Sequence, residues 1–228
     1  VMVTLDDGSS YQATVKGRDD KVDIAVLKIE AKKALPYLPL GNSDAARVGD
    51  WVIAVGNPFG LGGSVTAGII SAHNRNLHAG PYDDFLQIDA PINRGNSGGP
   101  TFNLNGQVIG INTAIFSPSG GSVGIGFAIP ASTVKAITDQ LRERGAVTRG
   151  WLGVQIQSIS PDLAASLGTS EKGAIVASVI DGSPAEKAGF KQGDVILTLN
   201  GTEVNDSSDL TGSLGFLLGM CSNSSPRE

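Results

Sequence analysis

A serine enclosed by glycines is the feature of this 228-residue sequence that points most directly to chemistry. Ser97 lies in the run Gly-Asn-Ser-Gly-Gly-Pro at residues 95–100. Glycines on both sides permit a tight turn that exposes the hydroxyl. The backbone N–H groups of Gly95 and Ser97 could then stabilise the oxyanion of a tetrahedral intermediate. The run therefore predicts a serine nucleophile, and a side chain at Gly95 or Gly98 is expected to crowd the substrate carbonyl. The alternative is a Gly-Ser surface loop.

A catalytic serine also requires a base, because a hydroxyl is a poor nucleophile until its proton is removed. The sequence contains two histidines, His73 and His78. Both fall in the polar stretch 73–78, which predicts a mobile loop with exposed side chains. Neither histidine is therefore expected to act as the base.

The composition limits the classes of function. Hydrophobic residues make up 40% of the chain and charged residues make up 17%. This hydrophobic fraction is sufficient to form a buried core. The net charge is −5 and no basic stripe is present, so nucleic acid is not an expected partner. No apolar run approaches the roughly 18 residues of a transmembrane helix. Cys221 is the only cysteine, which excludes an internal disulfide.

The elements that must position Ser97 are short strands, as expected of a chain with 31 glycines and many tight turns. The segment Trp51–Val55 is nearly all apolar and is expected to be buried on both faces. After Pro130, apolar residues at helical spacing predict a helix that Gly145 ends. The predicted strands are Val1–Leu5, Tyr11–Val15, Val22–Ile29, Trp51–Val55, Val65–Ser71, Phe85–Ile88, Gln107–Thr113 and Val123–Ile129.

The remainder mixes strands and short helices, which indicates a second, smaller domain beyond a boundary near residues 145–149. Its predicted strands are Leu152–Ile159, Ala174–Val179 and Val195–Leu199, and its predicted helices are Pro161–Leu167 and Pro184–Ala188. Ser183 is placed to cap the second of these helices, and Asn200-Gly201 predicts a hairpin turn. The chain opens on a strand without an initiator methionine, and its last eight residues resemble a disordered tail. Both ends are therefore expected to be truncated.

The segment around Ser97 resembles the nucleophile segment of the HtrA/DegP family of chymotrypsin-like serine endoproteases with PDZ domains. The resemblance covers about residues 1–209, through several segments in the family's order. The segments are residues 23–28, 56–60, 89–100, 124–130, 151–154, 182–190 and 193–196. The resemblance implies a mainly β fold, with a chymotrypsin-like double β-barrel whose first barrel is incomplete and a partial PDZ domain. The implied domains are residues 1–130 (protease), 131–149 (linker helix) and 150–228 (PDZ).

The resemblance also implies roles for residues. Ser97 would be the nucleophile, Asp23 would orient and stabilise a histidine, and Gly95 and Ser97 would supply the oxyanion N–H groups. Substrate would meet Ile125, Gly126 and Phe127, with a preference for small apolar residues. In the family the catalytic histidine precedes the aspartate, on a segment that this sequence lacks. The chain alone is therefore expected to be inactive, and its parent to be a protease.

The motif Trp151-Leu152-Gly153-Val154 resembles the carboxylate-binding loop of a PDZ domain. Backbone N–H groups of Leu152, Gly153 and Val154 would capture a peptide C-terminus, and the peptide would extend the sheet. A helix near 207–214 would form the other wall of the groove. Gly212 and Gly215 disfavour that helix, and the family-like sequence is expected to end near Leu210.

The implied function is quality-control and stress-response proteolysis of unfolded or damaged proteins in the periplasm. The family implies homo-trimers or higher multiples, and neither a cofactor nor a metal. The alternative is a non-catalytic, peptide-binding or chaperone-like pseudoprotease, although the intact Ser97 motif favours truncation over evolved loss. A third possibility, a purely structural β-protein, would not need an exposed Ser97.

Overall fold

The computed structural model describes residues 1–77, 80, 82–118 and 120–216. The chain divides into two compact units, Val1–Val147 and Thr148–Glu228. The predictions for His78, Cys221 and the tail lie outside the described residues. The fold is mainly β, as the sequence predicts.

The first unit contains nine strands, one α-helix and a short 3-10 helix (Pro58–Gly60) among its described residues. The strands and the α-helix are β1 (Met2–Thr4), β2 (Ser10–Asp19), β3 (Ile24–Ile29), β4 (Trp51–Gly56), β5 (Ser64–Arg75), β6 (Phe85–Ile88), β7 (Pro100–Asn103), β8 (Val108–Ile115), β9 (Gly126–Pro130) and α1 (Ala131–Arg144). Strands β1–β3 form an antiparallel sheet, and β4–β9 form a closed barrel in the order β4-β5-β6-β9-β8-β7. Val52, Ala54, Ile70 and Ile88 fill the barrel, each at 0% exposure.

Strand β4 corrects the prediction that Trp51–Val55 is buried on both faces. Val52 and Ala54 are fully buried, whereas Trp51, the first residue of the strand, is 59% exposed. Because side chains alternate along a strand, Trp51, Ile53 and Val55 share the outer side of the barrel. Ile53 and Val55 are partly buried, so the apolar strand β4 has one packed face and one partly exposed face.

The partly exposed face continues onto the strands on either side of β4. Cross-strand pairing places Ile69 beside Trp51, Ala67 and Phe102 beside Ile53, and Val65 beside Val55. Val65 is 69% exposed. These residues form an outer apolar face, which consists of Trp51, Ile53, Val55, Val65, Ala67, Ile69 and Phe102.

His73 lies in strand β5, which corrects the prediction of a mobile loop there. The strand continues because Arg75 pairs with Phe85 of β6, and the Arg75 Nε–H donates to Gln87 Oε1 at 2.8 Å. Asn74 adopts a positive φ of 52°, and register shifts on both sides of Ala72 accommodate the irregular backbone. Cross-strand contacts, which local polarity does not show, therefore keep this polar segment in the sheet.

Helix α1 packs against the first unit, contacting β2, β3, β8 and β9. Pro130 occupies its N-cap position and has no side-chain oxygen to cap the helix. The Ser132 N–H instead donates to Ser43 Oγ at 3.1 Å, from a loop that precedes β4. Gly145 ends the helix in the left-handed conformation, which confirms the prediction.

The second unit is a small α/β arrangement. Its elements are β10 (Val154–Ser158), α2 (Pro161–Leu167), β11 (Ala174–Val179), α3 (Pro184–Lys187), β12 (Val195–Ile196), β13 (Thr198–Leu199), β14 (Thr202–Glu203) and α4 (Ser207–Phe216). Strands β10, β11 and β12 form one sheet, and β13 and β14 form the predicted hairpin. The Asn200-Gly201 turn has φ angles of 51° and 81°, as a type I′ turn requires.

Two helix ends in this unit follow from side-chain caps. Ser183 Oγ accepts from the Glu186 N–H at 3.1 Å, which confirms the predicted cap of α3. Helix α4 forms as the family resemblance implies, although Gly212, which disfavours a helix, lies within it. Asp206 accepts the N–H groups of Ser208 and Asp209 at 2.7 and 2.9 Å, and Leu210 is fully buried. A cap and one buried side chain thus offset the low helix propensity of glycine.

Candidate active site

Backbone hydrogen bonds shape the loop between β6 and β7, which presents Ser97 at the surface. The Asn96 N–H donates to Asn93 O, and the Gly99 N–H donates to Asn96 O, each at 3.0 Å. The Gly98 N–H donates to Asn112 O at 2.8 Å and ties the loop to β8. These bonds fix the backbone on both sides of the exposed Ser97.

The loop needs its glycines for different physical reasons. Gly95 has a φ of 99°, and an added Cβ would lie 2.4 Å from Asn57 O. Gly98 has a φ of 85° and open space around its Cβ position. At Gly99 an added Cβ would lie 2.1 Å from Val55 O. A side chain at Gly95 would therefore also clash with the neighbouring loop that contains Asn57.

Two hydrogen bonds connect the predicted nucleophile with the predicted acid. Ser97 Oγ donates to the Thr113 carbonyl at 2.9 Å. Thr113 Oγ1 donates to Asp23 Oδ2 at 3.4 Å. Asp23 lies just before β3 with a φ of 59°, and its carboxylate is exposed. The structure therefore brings Ser97 and Asp23 to one place, although 74 positions separate them in the printed sequence.

Thr113 is a site residue that sequence reasoning misses. It lies within β8, and nothing in the run Ile111-Asn112-Thr113 marks it as more than a strand residue. Its carbonyl and its hydroxyl face two different partners, Ser97 and Asp23. Only the pairing of β8 beside the nucleophile loop reveals that role.

No histidine among the described residues joins Ser97 and Asp23. His73 lines a separate cavity of about 390 Å³, which shares no lining residue with the cavity beside Ser97. Its Nε2 atom is buried without a hydrogen-bond partner among the described residues. The position of His73 agrees with the expectation that it does not serve as the base.

The two predicted oxyanion donors are available. Within the described part of the chain, neither the Gly95 N–H nor the Ser97 N–H donates to a backbone or side-chain acceptor. The flanking carbonyls are occupied, since Arg94 O accepts from the Phe59 N–H at 2.9 Å. Free N–H groups beside a serine hydroxyl are the donors that an oxyanion requires.

A cavity of about 130 Å³ opens beside the serine. Its lining residues are Ile92, Asn93, Arg94, Asn96, Ser97, Thr113, Ala114 and Ile115. Its volume and its apolar side chains suit a small aliphatic group.

The three residues predicted to contact substrate do not line the cavity beside Ser97. Ile125, Gly126 and Phe127 are absent from that lining. Phe127 is 4% exposed and packs edge-to-face on Phe85. Gly126 acts on the cavity indirectly, because a Cβ there would lie 2.8 Å from the Ile92 side chain. Phe127 pairs with Gln87 and lies on the side of the sheet opposite the barrel-filling Ile88, and the cavity wall comes from residues 113–115 of β8.

A buried polar pair supports the nucleophile loop from behind. Asn112 is 1% exposed, and its Oδ1 accepts from Thr101 Oγ1 at 2.6 Å. Its Nδ2–H donates to Val55 O at 3.3 Å. The backbone of Asn112 also receives the Gly98 N–H. Satisfied buried hydrogen bonds of this kind specify one arrangement of β4, β7 and β8.

The predicted peptide-binding loop, residues 151–154, has the features of an anion-binding turn. Gly153 has a φ of 82°, and an added Cβ would lie 2.2 Å from the Ser183 Cβ. The carbonyls of Leu152 and Gly153 accept from Ala185 and Ile180 at 2.9 Å. Among the described residues, the N–H groups of Leu152 and Gly153 have no acceptor. The loop is therefore held through its carbonyls, and these two N–H groups stay available.

Metal binding and membrane insertion are two further properties that the described residues allow us to examine. They contain no group of three or more His, Cys, Asp or Glu side chains that could hold a metal ion. No helix within the described ranges is long and apolar enough to cross a membrane.

Two family models match the chain. The trypsin-like peptidase domain matches residues 1–111, and the PDZ domain matches residues 150–217. The second match extends beyond residue 210, where the family-like sequence is expected to end.

Curated relatives match nearly the whole chain. A probable periplasmic serine endoprotease DegP-like of Brucella suis is 62% identical over 210 residues, which are 91% of this chain and 41% of that protein. The protein of the same name in Chlamydia trachomatis is 54% identical over 220 residues, 96% of this chain and 44% of its own length. The chain thus spans less than half the length of these relatives.

Solved structures agree with the sequence matches. The HtrA-type protease AlgW with tripeptide has a TM-score of 0.84 and 48% identity, covering 95% of this chain and 72% of that one. The same protease with decapeptide has a TM-score of 0.80 at 48% identity, covering 95% of this chain and 67% of that one.

Proposed function

Because this chain belongs to the HtrA/DegP family of serine proteases, we propose that Ser97 and Asp23 are two members of a catalytic triad. The observation that carries the proposal is the pair of hydrogen bonds through Thr113, which hold both side chains at one site. Ser97 attacks the scissile carbonyl, and Asp23 orients and stabilises the histidine that takes the proton. The Gly95 and Ser97 N–H groups stabilise the oxyanion.

The base of this triad is a histidine that the 228 residues do not supply. Neither His73 nor His78 fills the role, so these residues alone do not hydrolyse peptides at a useful rate. A protein that holds them together with a histidine base cleaves its substrates through Ser97. The specificity cavity is walled by Ile92, Ala114 and Ile115, and it accepts small apolar side chains.

Casein hydrolysis tests this proposal in two proteins. We expect activity in a longer protein that includes a histidine base, and we expect none in the 228-residue chain. Ser97-dependent cleavage by the shorter chain would contradict the assignment of the base. An inert longer protein with intact peptide binding would favour the non-catalytic alternative.

The proposal also names the substrates of the protease, its cellular location and the limits of its domains. The relatives named periplasmic DegP-like endoproteases support a periplasmic protease that acts on unfolded or damaged proteins. We assign residues 1–130 to the protease domain, 131–149 to a connecting helix and 150–228 to a PDZ domain. The family matches at 1–111 and 150–217 support these limits.

Self-association of the chain, as a trimer or a higher multiple, is the second part of the proposal. The outer apolar face supports it, because a contiguous apolar patch that is partly exposed is typical of an interaction surface. A charged pair borders the patch at Asp50. The Arg47 guanidinium hydrogen-bonds to Asp50 and holds the pKa of that carboxyl below its ordinary value. An apolar centre with a charged rim is typical of protein interfaces.

Trp51→Glu is expected to convert the oligomer to monomer, because a charge would be buried in the interface. Sedimentation velocity measures the change. Trp151→Glu is the matched control, since Trp151 is 61% exposed and Trp51 is 59% exposed. Unchanged sedimentation of Trp51→Glu would show that another surface holds the copies together.

The third part of the proposal is that the loop at residues 151–154 binds the C-terminal carboxylate of a peptide. Gly153→Ala is expected to weaken binding at least about tenfold, because the methyl group displaces Ser183 or the loop. Fluorescence anisotropy with a labelled peptide measures the loss, and an amidated peptide reports binding that is independent of the carboxylate. Gly182→Ala is the control, because its φ is also positive but its Cβ position is open. Equal losses in both variants would indicate backbone strain and not a blocked loop.

A further inference from the structure

The cavity beside Ser97 has one charged residue in its lining, Arg94. The residue is exposed, and no carboxylate in the described part of the chain forms a hydrogen bond or ion pair with its guanidinium. The other lining residues are neutral. The cavity is therefore lined by an exposed arginine that has no carboxylate partner among the described residues.

The backbone of Arg94 is fixed more firmly than its exposure suggests. Arg94 O accepts from the Phe59 N–H at 2.9 Å, and Gly95 O accepts from the Asn57 N–H at 3.4 Å. Both bonds hold the segment against the loop that follows β4. The side chain therefore leaves a fixed point only three residues before Ser97.

Within the described residues, no ion pair engages the Arg94 guanidinium. The loops 56–63 and 116–125 contain no charged residue. Of the acidic residues close to the site, Asp23 accepts from Thr113, and Asp89 Oδ1 accepts from the Ile69 N–H at 2.6 Å. The net charge of the chain is −5, so Arg94 is a local positive site on a negative protein.

We propose that Arg94 is a specificity-determining residue, which selects substrates with a carboxylate side chain within two residues of the small apolar residue in the cavity. This inference rests on the proposed protease function. A guanidinium donates two parallel hydrogen bonds to a carboxylate, and a fixed backbone lowers the entropic cost of that pairing. Because the site is open to water, the expected preference is about fivefold.

The test uses the chain with Ser97→Ala, which binds peptide without turning it over. Two labelled peptides carry a valine flanked by either glutamate or glutamine. Both ends are capped, so no terminal carboxylate can engage the loop at 151–154. Fluorescence anisotropy is expected to show about fivefold tighter binding of the glutamate peptide.

Substitutions of Arg94 separate charge from shape. Arg94→Gln is expected to bring the ratio of the two Kd values near one. Arg94→Lys is expected to retain part of the preference for the glutamate peptide. Arg94→Glu is expected to bind a matched lysine peptide more tightly than the glutamate peptide. Arg144→Gln, at an exposed arginine in the last turn of α1, is the control and should leave the ratio unchanged.

Three results would overturn the inference: equal Kd values for the two peptides, a ratio that Arg94→Gln leaves intact, or no binding of either peptide. Failure of the proposed function has a different signature. In that case a protein that includes a histidine base would still bind the glutamate peptide more tightly. It would not cleave peptides in a Ser97-dependent way.

Discussion

Replacing Ser97 with alanine is expected to abolish covalent labelling by a fluorophosphonate and to lower peptide hydrolysis by about 10⁴-fold or more. The protein measured is one in which a histidine base accompanies these residues. The hydroxyl is the atom that forms the acyl-enzyme, and the cavity and the oxyanion N–H groups cannot replace it. The remaining activity would come from binding and from those N–H groups.

Ser166→Ala is the control for this substitution. Ser166 is an exposed serine of α2, and its Oγ donates to Leu163 O at 2.9 Å, within the second unit. The control should label and hydrolyse like the unmodified protein. Labelling that survives in the Ser97→Ala variant would place the reactive serine elsewhere and remove the basis of the proposed function.

Replacing Gly99 with alanine is expected to destabilise the barrel by about 3 kcal/mol or more, because overpacking against backbone has little room to relax. The added Cβ would lie 2.1 Å from Val55 O and 3.0 Å from Asn96 O, and both contacts are with backbone. Relief requires the nucleophile loop to move away from β4. Urea unfolding, extrapolated linearly to water, measures the loss of stability.

Gly98→Ala provides the comparison, one position away in the same loop. Its Cβ would meet nothing within 4 Å, but the φ of 85° is unfavourable for alanine. The expected cost is about 1–2 kcal/mol, from backbone conformation alone. Equal destabilisation by both substitutions would show that the contact with Val55 is relieved cheaply, contrary to the packing described above.

The sequence predicts those helices, strands and turns whose limits are set by residues a few positions away. The limits of Phe85–Ile88, Pro161–Leu167 and Ala174–Val179 are confirmed as predicted. Each is bounded by turn or capping residues that act within a few positions. The Ser183 cap and the Asn200-Gly201 turn are confirmed for the same reason.

Features that depend on distant pairing are the ones that the sequence does not reveal. Trp51 lies on the outer side of its strand because of barrel closure, and His73 stays in β5 because β6 pairs with it. Thr113 joins the site only through its contacts with Asp23 and Ser97. No local pattern contains that information, whereas the motif at residues 95–100 indicates the nucleophile directly.

The contact between Ser43 and Ser132 has a consequence for folding. The two residues are 89 positions apart, and the first turn of α1 has no side-chain cap from its own N-cap residue. The helix gains this cap only after the loop that contains Ser43 has reached its final position. Because closing so long a loop is slow, we expect α1 to complete its first turn late and to unfold together with the barrel. We therefore expect the helix and the barrel to behave as one cooperative folding unit.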